Sequence, residues 1–81
     1  MTEQEIYDRL NEVFRDVFDE DDIEVFADTT ADDIEDWDSL EHINLEVAVE
    51  NKFGIKFNMG EVVEMKNVGE MVQTILARVN G

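Results

Sequence analysis

Trp37-Asp38-Ser39-Leu40-Glu41-His42-Ile43-Asn44-Leu45-Glu46-Val47-Ala48-Val49-Glu50-Asn51-Lys52-Phe53-Gly54 is the stretch around which the chain is organised. Asp38 is a natural N-cap, because its carboxylate can accept from the free backbone N–H groups that open a helix. The spacing predicts a helix over 39–52. Phe53-Gly54 ends it, glycine being suited to the left-handed residue that follows a helix. Leu45, Ala48 and Val49 with Phe53 form one apolar stripe, enough to seat the helix on a core. Leu40, Ile43 and Val47 form a second, so the apolar arc is wider than a surface helix needs. Ile43 and Val47 follow Ser39 by four and eight residues, which lines the excess up with the serine. A well-buried helix would account for this arc. So would a docking face with a modified serine at its end, or the mouth of a cavity for whatever that serine carries. Glu41, Glu46 and Glu50 flank the face and would pair with arginines or lysines of a partner.

Outward from this stretch, the N-terminal side is acidic. The 81-residue chain has six Lys and Arg against 22 Asp and Glu, a formal net charge of −16. Residues 1–38 hold 16 acids and two bases, while residues 39–81 hold six acids and four bases. Such a field repels nucleic acid and anionic membrane and steers basic protein surfaces towards the chain; it also serves solubility. Thr2 with Glu5 fits a capping box. Ile6, Leu10, Val13, Phe14, Val17 and Phe18 then recur at helical spacing, predicting a helix over 2–18 with its core face set by those residues. Asp19-Glu20-Asp21-Asp22 resembles the start of a calcium loop, but the sixth and twelfth positions hold Glu24 and Thr30 where Gly and Glu belong, so loose divalent binding is expected there and no specific metal site. Ile23, Val25, Phe26 and Ile34 should pin the long acidic loop to the core, with one short helical turn at Thr29 or Thr30 and Asp32-Asp33.

Beyond Gly54, Ile55-Lys56-Phe57 reads as an extended connection with two apolar anchors. Asn58 with Glu61 repeats the capping pattern and predicts a short helix over 59–65. Asn67 with Glu70 repeats it again, opening a helix over 67–79 with Val68, Met71, Val72, Ile75, Leu76 and Val79 inward. Met59, Met65 and Met71 read as core filler. The expected class is all-α, a four-helix bundle with a long first loop and a short third helix, in a single domain over 1–81. No cysteine is available for disulfides or zinc. No apolar run reaches the roughly 18 residues of a membrane span, and the acidic start is unlike a secretory signal. A cytoplasmic, monomeric protein is the expectation.

Ser39 stands on the first turn of a helix with no base organised around it. His42, the sole histidine, sits three residues on, but a Ser-His-Asp trio within one turn has no room for an oxyanion hole and a pocket. The residue is placed for another enzyme to modify, His42 reads as solvent-facing or partner-facing, and Trp37 reads as packing over the loop and helix start. On these residues the chain resembles the acyl carrier proteins. Asp38-Ser39-Leu40 matches their attachment motif, and the long first loop, the Phe53, Ile55 and Phe57 anchors and Asn67-Val68-Gly69-Glu70 extend the likeness over essentially the whole length. The resemblance implies 4′-phosphopantetheine, transferred from coenzyme A and held covalently on Ser39, with Asp38 as N-cap and contact to the phosphopantetheinyl transferase. That transferase supplies the base and magnesium. It further implies acyl or aminoacyl groups carried as thioesters, no enzymatic activity of the chain's own, and partners with basic surfaces: a loading ligase or transferase and downstream acyl-processing enzymes. Trp37, His42, Asn44, Asn51 and Phe57-Asn58 depart from the fatty-acid-synthesis carriers and look more like stand-alone carriers of dedicated pathways. Val47, smaller than the methionine common in the former, leaves the size of any acyl cavity open. The other readings are an unmodified acidic interaction module and a peptidyl or aminoacyl carrier.

Overall fold

Two residues set where the first helix begins. The Thr2 hydroxyl accepts from the Glu5 backbone N–H at 3.2 Å, and the Glu5 carboxylate accepts from the Thr2 N–H at 3.1 Å, so two otherwise unpaired donors are satisfied reciprocally. These bonds also hold the Glu5 carboxyl below its ordinary pKa. Helix α1 runs Glu3–Phe18 and closes on Asp19, a non-glycine residue at φ 52°. Ile6, Leu10 and Phe14 on its inner face are fully buried, with Val13 and Phe18 nearly so.

The computed structural model describes residues 1–58, 60 and 65–80. Among them stand three α-helices, α1, α2 (Ser39–Phe53) and α3 (Val68–Asn80), with a 3-10 turn at Ala31–Asp33 and no strand. The all-α expectation holds at that level. The short helix expected over 59–65, the capping pattern of Asn58 with Glu61, and Met59 as filler fall on or against residues outside the described ones. Helix α1 packs against both α2 and α3, and the shared core joins Leu45 and Val49 of α2 to Val68, Met71, Val72 and Ile75 of α3. Burial of each such side chain is worth about 1.5–3 kcal/mol. Leu76, Val79, Met65, Ile55 and Phe57 pack half-buried around it. Glu12 of α1 and Lys52 of α2 meet at 2.9 Å. That exposed pair adds little stability, although it draws the Glu12 carboxyl below its ordinary range.

The long acidic loop is pinned mainly through its backbone. Arg15 Nε donates to the Ile23 carbonyl at 2.7 Å, and the Val25 N–H donates to Asn11 Oδ1 at 2.7 Å. Thr29 is buried, its hydroxyl accepting from the Phe26 N–H. Thr30 caps the 3-10 turn with Asp33 as its reciprocal partner. The loop then meets α3, whose first N–H groups at Val68 and Gly69 donate to the carbonyls of Thr29 and Ala27, each at 2.9 Å. A Cβ on Gly69 would stand 2.8 Å from the Ala27 oxygen, so this docking requires glycine. Val25 and Trp37 are the loop's buried apolar side chains, with Ile23 and Ile34 half-buried. Phe26 was expected among the anchors and is instead 57% exposed: the turn bonds between Phe26 and Thr29 hold its backbone, and the side chain faces out.

Candidate functional site

The Asp38 carboxylate accepts from the Glu41 N–H at 2.8 Å, and the Asp38 carbonyl accepts from the His42 N–H. This is the N-cap read from the sequence, and it starts α2 at Ser39. Ser39 is exposed in the first turn, where backbone N–H groups still lack intrahelical partners and favour an anion. Gly54, at φ 66°, closes the helix in the left-handed conformation. The two apolar stripes separate as read. Leu45 and Val49 are fully buried, with Ala48 and Phe53 half-buried against the core. Leu40, Ile43 and Val47 stand out at 67, 59 and 50% exposure. The second stripe is therefore open surface.

Beside Ser39 lies a groove of about 830 Å³ whose walls include Ile43, Val47, Trp37, Phe57 and Met65. Its lining mixes these apolar side chains with titratable ones, Asp38, His42, Glu46, Glu50 and Lys66. Glu46 and Glu50 follow Ser39 by seven and eleven residues, about two and three helical turns, so the groove tracks the helix face beneath the serine.

Three of the residues assigned from sequence to the partner-facing side do other work. Glu46 was expected on the rim and is 4% exposed. Among the described residues neither carboxylate oxygen has a hydrogen-bond partner. Burial, with the Glu50 charge adding to it, pushes its pKa up to about 7. A carboxylate so placed cannot reach a partner's arginine. Glu50 is half-buried, and its carboxylate accepts from the Phe57 N–H at 2.7 Å, tying the end of α2 to the segment after it. His42 is not solvent-facing: its Nδ1 accepts from Trp37 Nε1 at 3.1 Å, and the rings stack at 5.9 Å. With Nδ1 accepting, the proton of a neutral imidazole sits on Nε2, which faces Glu46 Oε1 at 3.8 Å. An imidazole committed in this way is not a base for Ser39. Trp37 meets Phe14 edge-to-face at 5.3 Å, so it packs as expected while gaining a buried partner for its N–H. Glu41, half-buried, keeps its carboxylate near the surface, bonded to Asn44 at 3.3 Å.

The sequence did carry a signal for the Glu46 correction. His42, Glu46, Val49 and Phe53 fall at i, i+4, i+7 and i+11, one side of a helix, so Glu46 shares the inward stripe. Phe57, Met65 and Lys66 of the groove come from beyond α2, and no local pattern assigns them. Among the described residues no cluster of His, Cys, Asp and Glu could hold a metal ion, and no helix is long and apolar enough to cross a membrane.

Comparison with known proteins agrees with this geometry. The family model described as the phosphopantetheine attachment site matches residues 8–75. An acyl carrier protein of Petrotoga mobilis is 31% identical over 80 residues, covering 99% of this chain and 94% of that one. The holo acyl carrier protein of Geobacter metallireducens, a solution NMR structure, superposes with a TM-score of 0.86 at 42% identity, over 91% of this chain and 85% of that one.

Proposed function

The chain belongs to the phosphopantetheine-attachment family as an acyl carrier, and we propose that Ser39 is the residue that holds its 4′-phosphopantetheine. The group supplies a thiol on which acyl groups are carried as thioesters. Carriers of this kind are not catalysts: they raise the local concentration of a tethered substrate at their partners' active sites.

The observation that carries the assignment is the placement of Ser39, exposed at the N-terminus of α2 between its Asp38 cap and the groove. The hydroxyl is open to a transferase. The first-turn N–H groups favour the phosphodiester anion that would form there. Asp38 holds the serine in register and is the acid nearest a transferase and its metal. Leu40, Ile43 and Val47 are the docking face for partner enzymes, and Glu41 is the charged rim that meets their basic residues. Glu46 has no part in that rim. The proposal also covers a single carrier domain over 1–81 with a fourth, short helix at 59–65. It covers a monomer in the cytoplasm serving a dedicated pathway, with a loading ligase or transferase and downstream acyl-processing enzymes as partners.

The test is an intact mass after incubation with a broad-specificity phosphopantetheinyl transferase, magnesium and coenzyme A. The wild type should gain one phosphopantetheine and Ser39→Ala none, with the variant's helical content unchanged because the first helical turn tolerates alanine. A gain in the variant would move the attachment point elsewhere. No gain in the wild type with several transferases would favour an unmodified interaction module.

A further inference from the structure

The residue least explained by attachment at Ser39 is Glu46. An unpaired carboxyl in an apolar wall is unfavourable in either protonation state, and nothing in core packing calls for one between Leu45 and Val49. Its position gives it a use. It lies in the groove that begins at Ser39, about 10 Å along the helix axis from the serine at 1.5 Å per residue, with apolar Ile43, Val47 and Phe57 among the other lining residues. Among the described residues neither oxygen has a partner, while the neighbouring acceptors are engaged: Glu50 by the Phe57 N–H, Asp38 by the Glu41 N–H and His42 Nδ1 by Trp37. The groove therefore contains a desolvated acceptor in a lining that also presents apolar Trp37, Ile43, Val47, Phe57 and Met65, an arrangement that recognises a polar group on a largely apolar ligand.

We propose that Glu46 is a specificity-determining residue of the groove, accepting a hydrogen bond from a hydroxyl, amide N–H or amine of the tethered group, so that this carrier seats a donor-bearing chain better than a wholly apolar one. The inference rests on the attachment at Ser39. A wholly apolar chain entering the groove would seal Glu46 from water without replacing the lost hydration. A chain with a donor at the right depth would satisfy it, and sites built to hydrogen-bond a ligand reject the analogue that lacks the donor. His42 Nε2, at 3.8 Å from Glu46 Oε1, Glu50 and Lys66 are the other charged or titratable groups lining this part of the groove. The donor has two possible sources, the pantetheine arm, which has amide N–H groups and a hydroxyl, and the cargo itself.

The experiment follows the carboxyl carbon of Glu46 by NMR in glutamate-labelled protein, with the resonance identified through Glu46→Gln. Its titration is compared in the apo form, the holo form with a free thiol, and holo forms loaded with butanoyl, 3-hydroxybutanoyl or 3-aminobutanoyl groups. Intact mass confirms each state first. A donor that stabilises the carboxylate should raise the acidity constant of Glu46 about tenfold. A rise in the hydroxy and amino forms but not the butanoyl form assigns the donor to the cargo. An equal rise in every arm-bearing form assigns it to the arm. An unchanged titration in all forms, with the masses correct, overturns the role of Glu46 and leaves the attachment at Ser39 standing. Failure of the mass gain itself removes both.

Discussion

Helices α1 and α2 pack against each other, yet they distribute polarity in opposite ways. Helix α1 puts its apolar residues inside and its charges outside: Ile6, Leu10, Val13, Phe14 and Phe18 are all 6% exposed or less. Helix α2 buries Leu45 and Val49, leaves Leu40, Ile43 and Val47 in solvent, and takes an acid, Glu46, into its inner side. Exposed aliphatics and a buried unpaired carboxyl are each unfavourable for a free-standing helix. Both occur on the one helix that begins at Ser39. The difference separates a helix whose side chains are all arranged for stability from one whose surface is not explained by stability alone.

The largest effect expected from this contrast is on the α1 side. Phe14→Ala should cost about 3–5 kcal/mol, the usual range for emptying a buried phenylalanine site. A domain of this size has a total stability of the same order. Urea titration followed by circular dichroism should find the variant largely unfolded where the wild type is folded. A melt like that of the wild type would mean that α1 is not the helix on which stability rests.

The second effect has the opposite sign. The carboxyl of Glu46 rises from 4.5 to about 7 on folding because burial, and then the Glu50 charge, disfavour its ionised form. The folded state therefore binds more proton than the unfolded one between those two values, and the contribution of Glu46 to stability declines as pH climbs through that window. Replacing it by leucine removes the decline. The stability of Glu46→Leu should exceed that of the wild type by a margin that widens by up to about 3 kcal/mol between about pH 4 and about pH 8. The remaining acids add their own pH dependence, but both proteins share it and it cancels in the difference. A margin that does not vary with pH would mean that Glu46 titrates as an exposed acid does.

The contrast between the helices also marks what was legible beforehand. Asp38, Gly54 and the two stripes of α2 depend on neighbours within a turn or two, so spacing alone placed them, and the attachment motif at Ser39 came with them. Glu46 departs from the rim that an acid on a helix suggests, and its spacing from His42, Val49 and Phe53 puts it on the inner side. Phe26 was misplaced for another reason: loop residues have no periodicity, and the direction of its side chain is set by the turn bonds to Thr29. The bond between Trp37 and His42 spans the helix start, and the walls of the groove at Phe57, Met65 and Lys66 depend on how the chain returns after Gly54. Neither follows from local pattern.

Trp37→Phe probes the junction of the two helices. It keeps an aromatic ring against Phe14 and Phe18 but removes the donor to His42 and part of the packed volume. A loss of about 1–2 kcal/mol is expected, a neutral hydrogen bond and a modest cavity together. The imidazole resonances of His42 should shift with it, because Nδ1 loses its buried donor. Stability lost with His42 undisturbed would assign the whole effect to packing.

The smallest change in stability is expected where α2 is most unlike α1. Ile43→Ser and Val47→Ser, at 59 and 50% exposure, remove side chains that bury little area in the free protein. Surface substitutions of this kind fall within about 0.5 kcal/mol, and trimming exposed apolar surface should if anything help solubility. In α1 a comparable change would be felt at once as a cavity. If Ile43 and Val47 belong to the docking face, their loss should appear in the transferase reaction: a slower gain of phosphopantetheine at low protein concentration, recovering as concentration rises, because a weakened encounter is compensated by mass action. Serines that leave both the melting temperature and the concentration dependence unchanged would confine the docking face to Leu40 and Glu41, nearer Ser39. Serines that lower the melting temperature by the margin of a core residue would show that the outer stripe of α2 is packed, and the contrast with α1 would then disappear.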